Sequence, residues 1–373
     1  MNSKILFISH SSDLSGAERS LAEIVVAIAK QDKISIGVVL PCKGKLEELL
    51  PSNISIFYCE QFWWVKKWYP NKYGIRDLFW IFRKTITSAR KIIKDFSPDV
   101  IITNTSVICN FAIAAKIEKV YHCWHIRETM EQMQMHFMFG NWLTYKVMSY
   151  LSKFIYVNSK YLKNECSNYF RNIYIVRQAI NCSHVLKHHS VKDKIRIAVI
   201  GYISPKKNQM EAIDAYKILE QQGIENISLS FIGRGDENSV YYKNIKEQIN
   251  NRNIEIVQFY EDMEIIYAKT DIVLVCSLET FGRVAVESMK HSIPVIAANL
   301  GGSVDNIKNG YNGFLYEKGN SKDLAEKIFL LQDVDIRENI GRNGYKFAME
   351  NFNEVNMLND FLCPLDRFVN KSL

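Results

Sequence analysis

Residues 271–316, DIVLVCSLETFGRVAVESMKHSIPVIAANLGGSVDNIKNGYNGFLY, decide the fold. The first run, Asp271–Cys276, is short, apolar and β-branched, the composition of a parallel strand buried on both faces. Glu279-Thr280-Phe281-Gly282 reads as a loop, and a helix starting near Gly282 carries Glu287. Pro294-Val295-Ile296-Ala297 opens a second strand, with Pro at the first position, where its missing N–H is tolerated. Gly301-Gly302 closes the segment. The order strand, loop, helix, strand predicts an α/β chain. It places Glu279 and Glu287 around one loop-to-helix junction at the carboxyl end of a strand, where open α/β sheets bind ligands. Free N–H groups at such a helix start attract phosphate. Two solvated carboxylates are the plain alternative, the usual state of Glu, and it leaves the flanking pattern unexplained.

Working outward, Ile195–Gly201 reads as a strand, followed by the loop Ser204–Gln209 and a helix over Met210–Glu220. Ile227–Gly233 is a further strand ending in Gly233-Arg234-Gly235, and Ile254–Phe259 is a short one before a helix at 261–270. Beyond the central stretch, Ser321–Leu331 is expected to be a helix capped by Ser321, residues 336–350 another, and Phe352–Val369 an aromatic-rich helical tail. At the other end, Lys4–Ser9, a helix over Ser20–Lys30 with Leu21, Ile24, Val25 and Ile28 at helical spacing, and Ile34–Leu40 form a βαβ opening. Pro98–Asn104, the run from Val120 to Glu128 and Ser152–Ser159 read as strands whose polar ends belong to a cleft. The polar stretch Cys182–Asp193 reads as a linker, and its three histidines lack a metal-ligand pattern.

Composition narrows the class. The 373 residues exceed a comfortable single core, so two domains are expected. Hydrophobic content of 47% and charged content of 23% are ordinary for a globular chain. No apolar run is long enough for a transmembrane helix, and MNSKILFISHSS reads as strand and loop, not as a signal peptide. Eight scattered cysteines without a C-x-x-C pair read as buried thiols in a reducing cytoplasm. Residues 61–96 hold nine Lys or Arg, two Asp and ten aromatics, a mixture suited to an anionic membrane interface, with 62–94 as the expected contact. A core-packed helix with a solvated basic side is the alternative. The same mixture stacks single-stranded nucleic acid, but nothing else in the chain supports a nucleic-acid partner.

The spacing of Glu279 and Glu287, with seven residues between them, Phe-Gly among these, Pro-Val-Ile after and Gly-Gly beyond, resembles the E-x7-E signature of family 4 retaining glycosyltransferases of the GT-B fold, the bacterial surface-polysaccharide type. The resemblance covers nearly the whole chain and is strongest from Ile195 to Leu315. It implies two Rossmann-like domains facing across a cleft: an acceptor-side domain over 1–185, a nucleotide-sugar-binding domain over 186–351, and a C-terminal helix over 352–373 packing back on the first. It implies catalytic roles for Glu279, His125 and Lys207. Glu279 and His125 would orient the sugar, and Lys207 would grip the donor diphosphate. Gly16, Lys206, Gly233, Thr280, Phe281, Gly282, Arg283 and Glu287 would complete the donor site, with Glu287 on the ribose hydroxyls. Tyr202 stands where the family carries Arg, whose planar permanent charge Tyr cannot supply, so either Lys206 or Arg283 substitutes or the site is weaker than usual. A structural role is the alternative for His125, and a helix start with a glycine turn for Gly16.

The same resemblance implies transfer from a UDP- or GDP-sugar to a glycan or polyprenyl- or lipid-linked acceptor, retaining and metal-independent, with no cofactor. The protein would be cytoplasmic, docked peripherally on the inner face of the cell membrane. A GT-B sugar epimerase and a catalytically silent nucleotide-sugar-binding partner subunit are the rival functions. Asp333-Val334-Asp335 lies in a polar segment and reads as surface, not as a metal motif.

Overall fold

The computed structural model describes residues 3–31, 33–66, 74–133, 135–181, 194–250, 252–258 and 263–368. The linker expected over Cys182–Asp193 lies outside the described residues, as do residues 67–73 of the aromatic-basic stretch. The chain divides into two compact units, Met1–Ala179 with Glu354–Leu373, and Ile180–Asn353.

The described strands of the first unit are β1 (Ser3–Ile8), β2 (Ile34–Leu40), β3 (Ser55–Tyr58), β4 (Val100–Thr103), β5 (Tyr121–Ile126), β6 (Ile155–Val157) and β7 (Ile173–Ile175). They pair in the order β3-β2-β1-β4-β5-β6-β7, every described pair parallel. In the second unit β8 (Ile195–Ile200), β9 (Ile227–Ile232), β10 (Ile254–Val257), β11 (Ile272–Val275), β12 (Val295–Ala298) and β13 (Phe314–Tyr316) pair as β10-β9-β8-β11-β12-β13, again parallel. Each sheet reverses direction of growth once, between β1 and β4 and between β8 and β11. Chain crossovers leave on opposite faces at such a point and open a crevice at the strands' carboxyl ends.

Both faces of each sheet are covered, so alternate side chains enter different cores. Ile5 and Phe7 of β1 pack with Leu21, Ile24 and Ile28 of the helix Gly16–Ala29, while Leu6 and Ile8 pack with Ala89, Ile93 and Phe96 of the helix Ile75–Phe96. Ile197 and Val199 of β8 go to one face and Ala198 and Ile200 to the other. Double burial explains why these strands read as unbroken apolar runs.

The last helix, Glu354–Phe368, belongs to the first unit. Its Met357, Phe361 and Leu365 join the core of β1 and the first helix. Phe361 stacks on Phe7 at 5.8 Å and on Tyr156 at 5.0 Å, and Tyr156 Oη donates to the Phe361 carbonyl at 2.5 Å. Arg177 holds Asp360 with two N–H donors at 2.7 and 2.9 Å.

Several boundaries differ from the sequence expectation. The first helix begins at Gly16 rather than Ser20, because Ser15 Oγ donates to Glu18 and fixes the first turn. Asn320, not Ser321, caps the helix Ser321–Leu330, accepting from the Asp323 N–H at 3.1 Å. Asp333 is an exposed N-cap for the helix Val334–Asn351, accepting from the Asp335 and Ile336 N–H groups.

Candidate active site

β8 and β11 are neighbours, and the loops at their carboxyl ends bring two charges together. Lys207 Nζ is ion-paired with Glu279 Oε1, which also accepts from Ser277 Oγ at 2.5 Å. Lys207 follows a turn in which its N–H donates to the Ser204 carbonyl at 3.0 Å, and the helix Gln209–Gln221 starts two residues later. The two side chains close a small recess with Ile200, Cys276, Ser277 and Val284. Burial pushes the Cys276 thiol up to about 12, so it is an inert wall and no nucleophile.

The Gly-Gly pair builds the loop that presents Glu279. The Gly302 N–H donates to the Glu279 carbonyl at 2.7 Å. At Gly301, with φ +61°, a Cβ would lie 2.4 Å from that same oxygen, so no other residue fits there. Asn306 Nδ2 donates to the Phe281 carbonyl, pinning the loop's far end. The helix Arg283–Lys290 then starts from Gly282 with no side-chain cap, so no capping side chain covers its first N–H groups. These groups, the Lys207 ammonium and the carboxylate lie around the neighbouring carboxyl ends of β8 and β11, the inventory that holds an anion and orients a polar ligand beside it.

Glu287 lies one turn into the same helix. Arg283 Nε donates to its Oε1 at 2.7 Å and Tyr267 Oη to its Oε2 at 2.8 Å. Tyr267 stacks on His291 at 4.5 Å, and the His291 ring is held between the Glu287 carbonyl and Glu264 at 2.7 and 2.9 Å. The carboxylate is thereby fixed in direction as well as charge.

Residues 185–347 match the family model described as glycosyl transferases group 1. Over that stretch the chain is similar to group 1 glycosyltransferases. A capsular polysaccharide biosynthesis glycosyltransferase, CapM of Staphylococcus aureus, is 31% identical over 188 residues, 50% of this chain and 49% of CapM. The chain spans about half the length of the first curated relatives it matches. An uncharacterised glycosyltransferase of Methanocaldococcus jannaschii, MJ1069, aligns end to end, at 22% identity over 96% of each chain. The crystal structure of Anabaena HepE with UDP and glucose superposes with a TM-score of 0.76 at 22% identity, covering 98% of this chain and 99% of that one. That likeness establishes the GT-B fold, two Rossmann-like units, for the whole chain.

Within the matched residues, Glu279 pairs with Lys207, and Glu287 with Arg283. Lys206 and Tyr202 are exposed in the loop that follows β8. Thr280 and Phe281 are buried, Phe281 against Phe352 at 5.5 Å, so this segment offers a ligand its backbone more than its side chains. Gly233 serves close approach: a Cβ there would sit 2.0 Å from the Gly201 carbonyl, forcing the ends of β8 and β9 apart. Gly16 and His125 belong to the first unit. Space is open around the Gly16 Cα, so packing does not demand glycine. His125, at the end of β5, is fully buried; burial and the adjacent Arg127 guanidinium, 3.2 Å from Nδ1, hold its pKa well below the ordinary value and keep the ring neutral. Arg127 in turn donates to Asn104 Oδ1 at 2.7 Å. Sequence reasoning missed Ser277, Tyr267 and Asn306, and gave Arg127 no role of its own. Ser277, two residues before Glu279, was within reach of inspection; Tyr267 carried no local signal, because its partner is twenty residues away.

Proposed function

We propose that the protein transfers a sugar from a nucleoside diphosphate sugar to a glycan or lipid-linked acceptor, with retention at the anomeric carbon, in the synthesis of a cell-surface polysaccharide. The observation that carries this reading is the Lys207–Glu279 pair beside the uncapped helix start at the junction of β8 and β11. Breaking the bond at the anomeric carbon leaves negative charge on the diphosphate. Fixed cations and N–H groups stabilise that charge best where water is excluded. Lys207 and the first turn of the helix Arg283–Lys290 supply them without a divalent metal. When the diphosphate takes the ammonium, Glu279 is released to accept hydrogen bonds from sugar hydroxyls. Glu287, held by Tyr267 and Arg283, accepts from the ribose. Arg283 holds Glu287 in the free protein, so its share of the lost charge at Tyr202 is indirect. For His125 we carry over the role of a hydrogen-bonding group toward the sugar, a role that its neutral ring allows. Front-face attack, with the donor phosphate taking the acceptor proton, leaves no role for a carboxylate nucleophile.

Capsular synthesis by CapM supports a surface-glycan product, and UDP in HepE makes uridine the first base to test. The exposed Ile75, Phe79 and Trp80 of the helix Ile75–Phe96, interleaved with Arg76, Arg83 and Lys84, support cytoplasmic docking at an anionic membrane. No described helix is long and apolar enough to cross a membrane. The test is thermal unfolding with UDP, GDP and their sugars. Ligand that binds only the folded state raises the melting temperature by mass action. Silence toward every nucleotide and every sugar donor would refute the reading.

A further inference from the structure

Exposed large apolar side chains are concentrated on one more element of the first unit, the helix Asn141–Leu151. Thr144 and Met148 are its buried positions. Trp142, Leu143, Lys146, Val147 and Tyr150 are exposed on the other side, Trp142 at 65% and Tyr150 at 70%, and Phe139 just before the helix is exposed at 64%. Within the helix, residues 143 and 147, and 142, 146 and 150, recur at four-residue spacing, so Trp142, Leu143, Val147 and Tyr150 form one ridge around Lys146. Burying so much aromatic surface is favourable, and a monomer in water leaves it exposed.

Cations line this ridge. Lys146 Nζ lies 6.0 Å from the Trp142 ring, and Lys116 Nζ, from the neighbouring helix Asn110–Glu118, lies 4.3 Å from the Tyr150 ring. Beside the helix opens a recess of about 410 Å³ whose walls include Lys146, Tyr150, Lys153, Tyr169 and Arg171. Its lining contains three cations and no carboxylate. An aromatic ridge beside a basic recess has two matching counterparts in one object: the acyl–headgroup boundary, which Trp and Tyr prefer, and the phosphodiesters just outside it.

We propose that the helix Asn141–Leu151 is a membrane-docking element, with its aromatic ridge in the interface of an anionic bilayer and a lipid phosphodiester in the recess lined by Lys146, Lys153 and Arg171. This rests on the proposed docking at an anionic membrane and deepens it, but assigns the headgroup contact to a different helix. It is tested by co-sedimentation of the full chain with phosphatidylglycerol-containing vesicles, against pure phosphatidylcholine vesicles and against inorganic phosphate in solution. Each basic residue near such a surface is worth roughly 5-fold in partitioning. Lys146→Gln/Lys153→Gln/Arg171→Gln is therefore expected to lower binding to anionic vesicles on the order of 100-fold. Trp142→Ser/Tyr150→Ser is expected to weaken binding to both vesicle types. Unchanged far-ultraviolet dichroism and melting temperature keep a folding defect apart. If the parent binds anionic vesicles and both variants bind equally well, this inference is overturned while the reading of residues 62–94 stands. If the parent binds no vesicle, both fall. Self-association through the ridge without vesicle binding, read by light scattering, would also overturn it, as would release of the protein from anionic vesicles by inorganic phosphate at an ionic strength where chloride leaves it bound.

Discussion

Lys207→Ala is expected to weaken nucleotide binding much more than folding. In the free protein the ammonium neutralises Glu279, and the two side chains are 27% and 18% exposed. Breaking an exposed pair costs about 0–1 kcal/mol and a fully buried one about 3–5 kcal/mol. A part-buried pair whose carboxylate keeps its Ser277 hydrogen bond belongs between, at about 1–2 kcal/mol. A charge-assisted contact to a diphosphate is worth about 1.5–3 kcal/mol, so the variant should bind UDP or GDP roughly 10- to 150-fold more weakly. Loss of one stabiliser of leaving-group charge should lower the transfer rate on the order of 100- to 1,000-fold. Glu279→Gln separates the two roles. It removes the carboxylate that competes for the ammonium, so nucleotide affinity should hold or rise while transfer falls. Calorimetry with the nucleotide diphosphate, urea unfolding at neutral pH and a transfer assay measure the three quantities. Parental nucleotide affinity in Lys207→Ala, or full transfer in both variants, would refute the assignment.

Tyr267→Phe deletes the 2.8 Å hydrogen bond that directs Glu287, and is expected to raise KM for the donor about 3- to 10-fold with a smaller change in kcat. Equal KM in the two proteins would show that Tyr267 only packs. Gly233→Ala places a carbon 2.0 Å from a backbone oxygen that cannot rotate away, and should cost about 2–4 kcal/mol, visible as a lowered urea midpoint. Acid should destabilise the first unit through His122. Burial lowers its pKa from 6.5 to about 3, so unfolding takes up a proton between those limits. Stability then falls as the pH drops through that window, by about 1.4 kcal/mol per pH unit from this ring. Urea midpoints independent of pH across that window would contradict the neutral buried imidazole.

The sequence by itself determined the layered architecture. Runs such as IVLV and VIAA, bounded by polar loops and followed by helical periodicity, are satisfied only by strands buried on both faces of a parallel sheet, and parallel strands require crossovers. It also located the acidic loop and its helix, because Glu279, Gly282, Glu287 and the Gly-Gly pair lie within one continuous segment whose spacing is fixed by strand and helix geometry. The Arg283–Glu287 pair was legible as a helical i, i+4 contact. Only the tertiary structure decided that Lys207 meets Glu279 across 72 residues, that Tyr267 aims Glu287, and that Arg127 reaches Asn104 from a neighbouring strand. These meetings depend on which strands lie side by side, and local periodicity carries no information about that. The same reason governs the aromatic residues. The concentration of Trp and Lys in 61–96 drew attention in the linear chain, but Trp142, Lys146 and Tyr150 are dilute there. They become a ridge only once Thr144 and Met148 have been turned into the core, and packing against the sheet chooses that face.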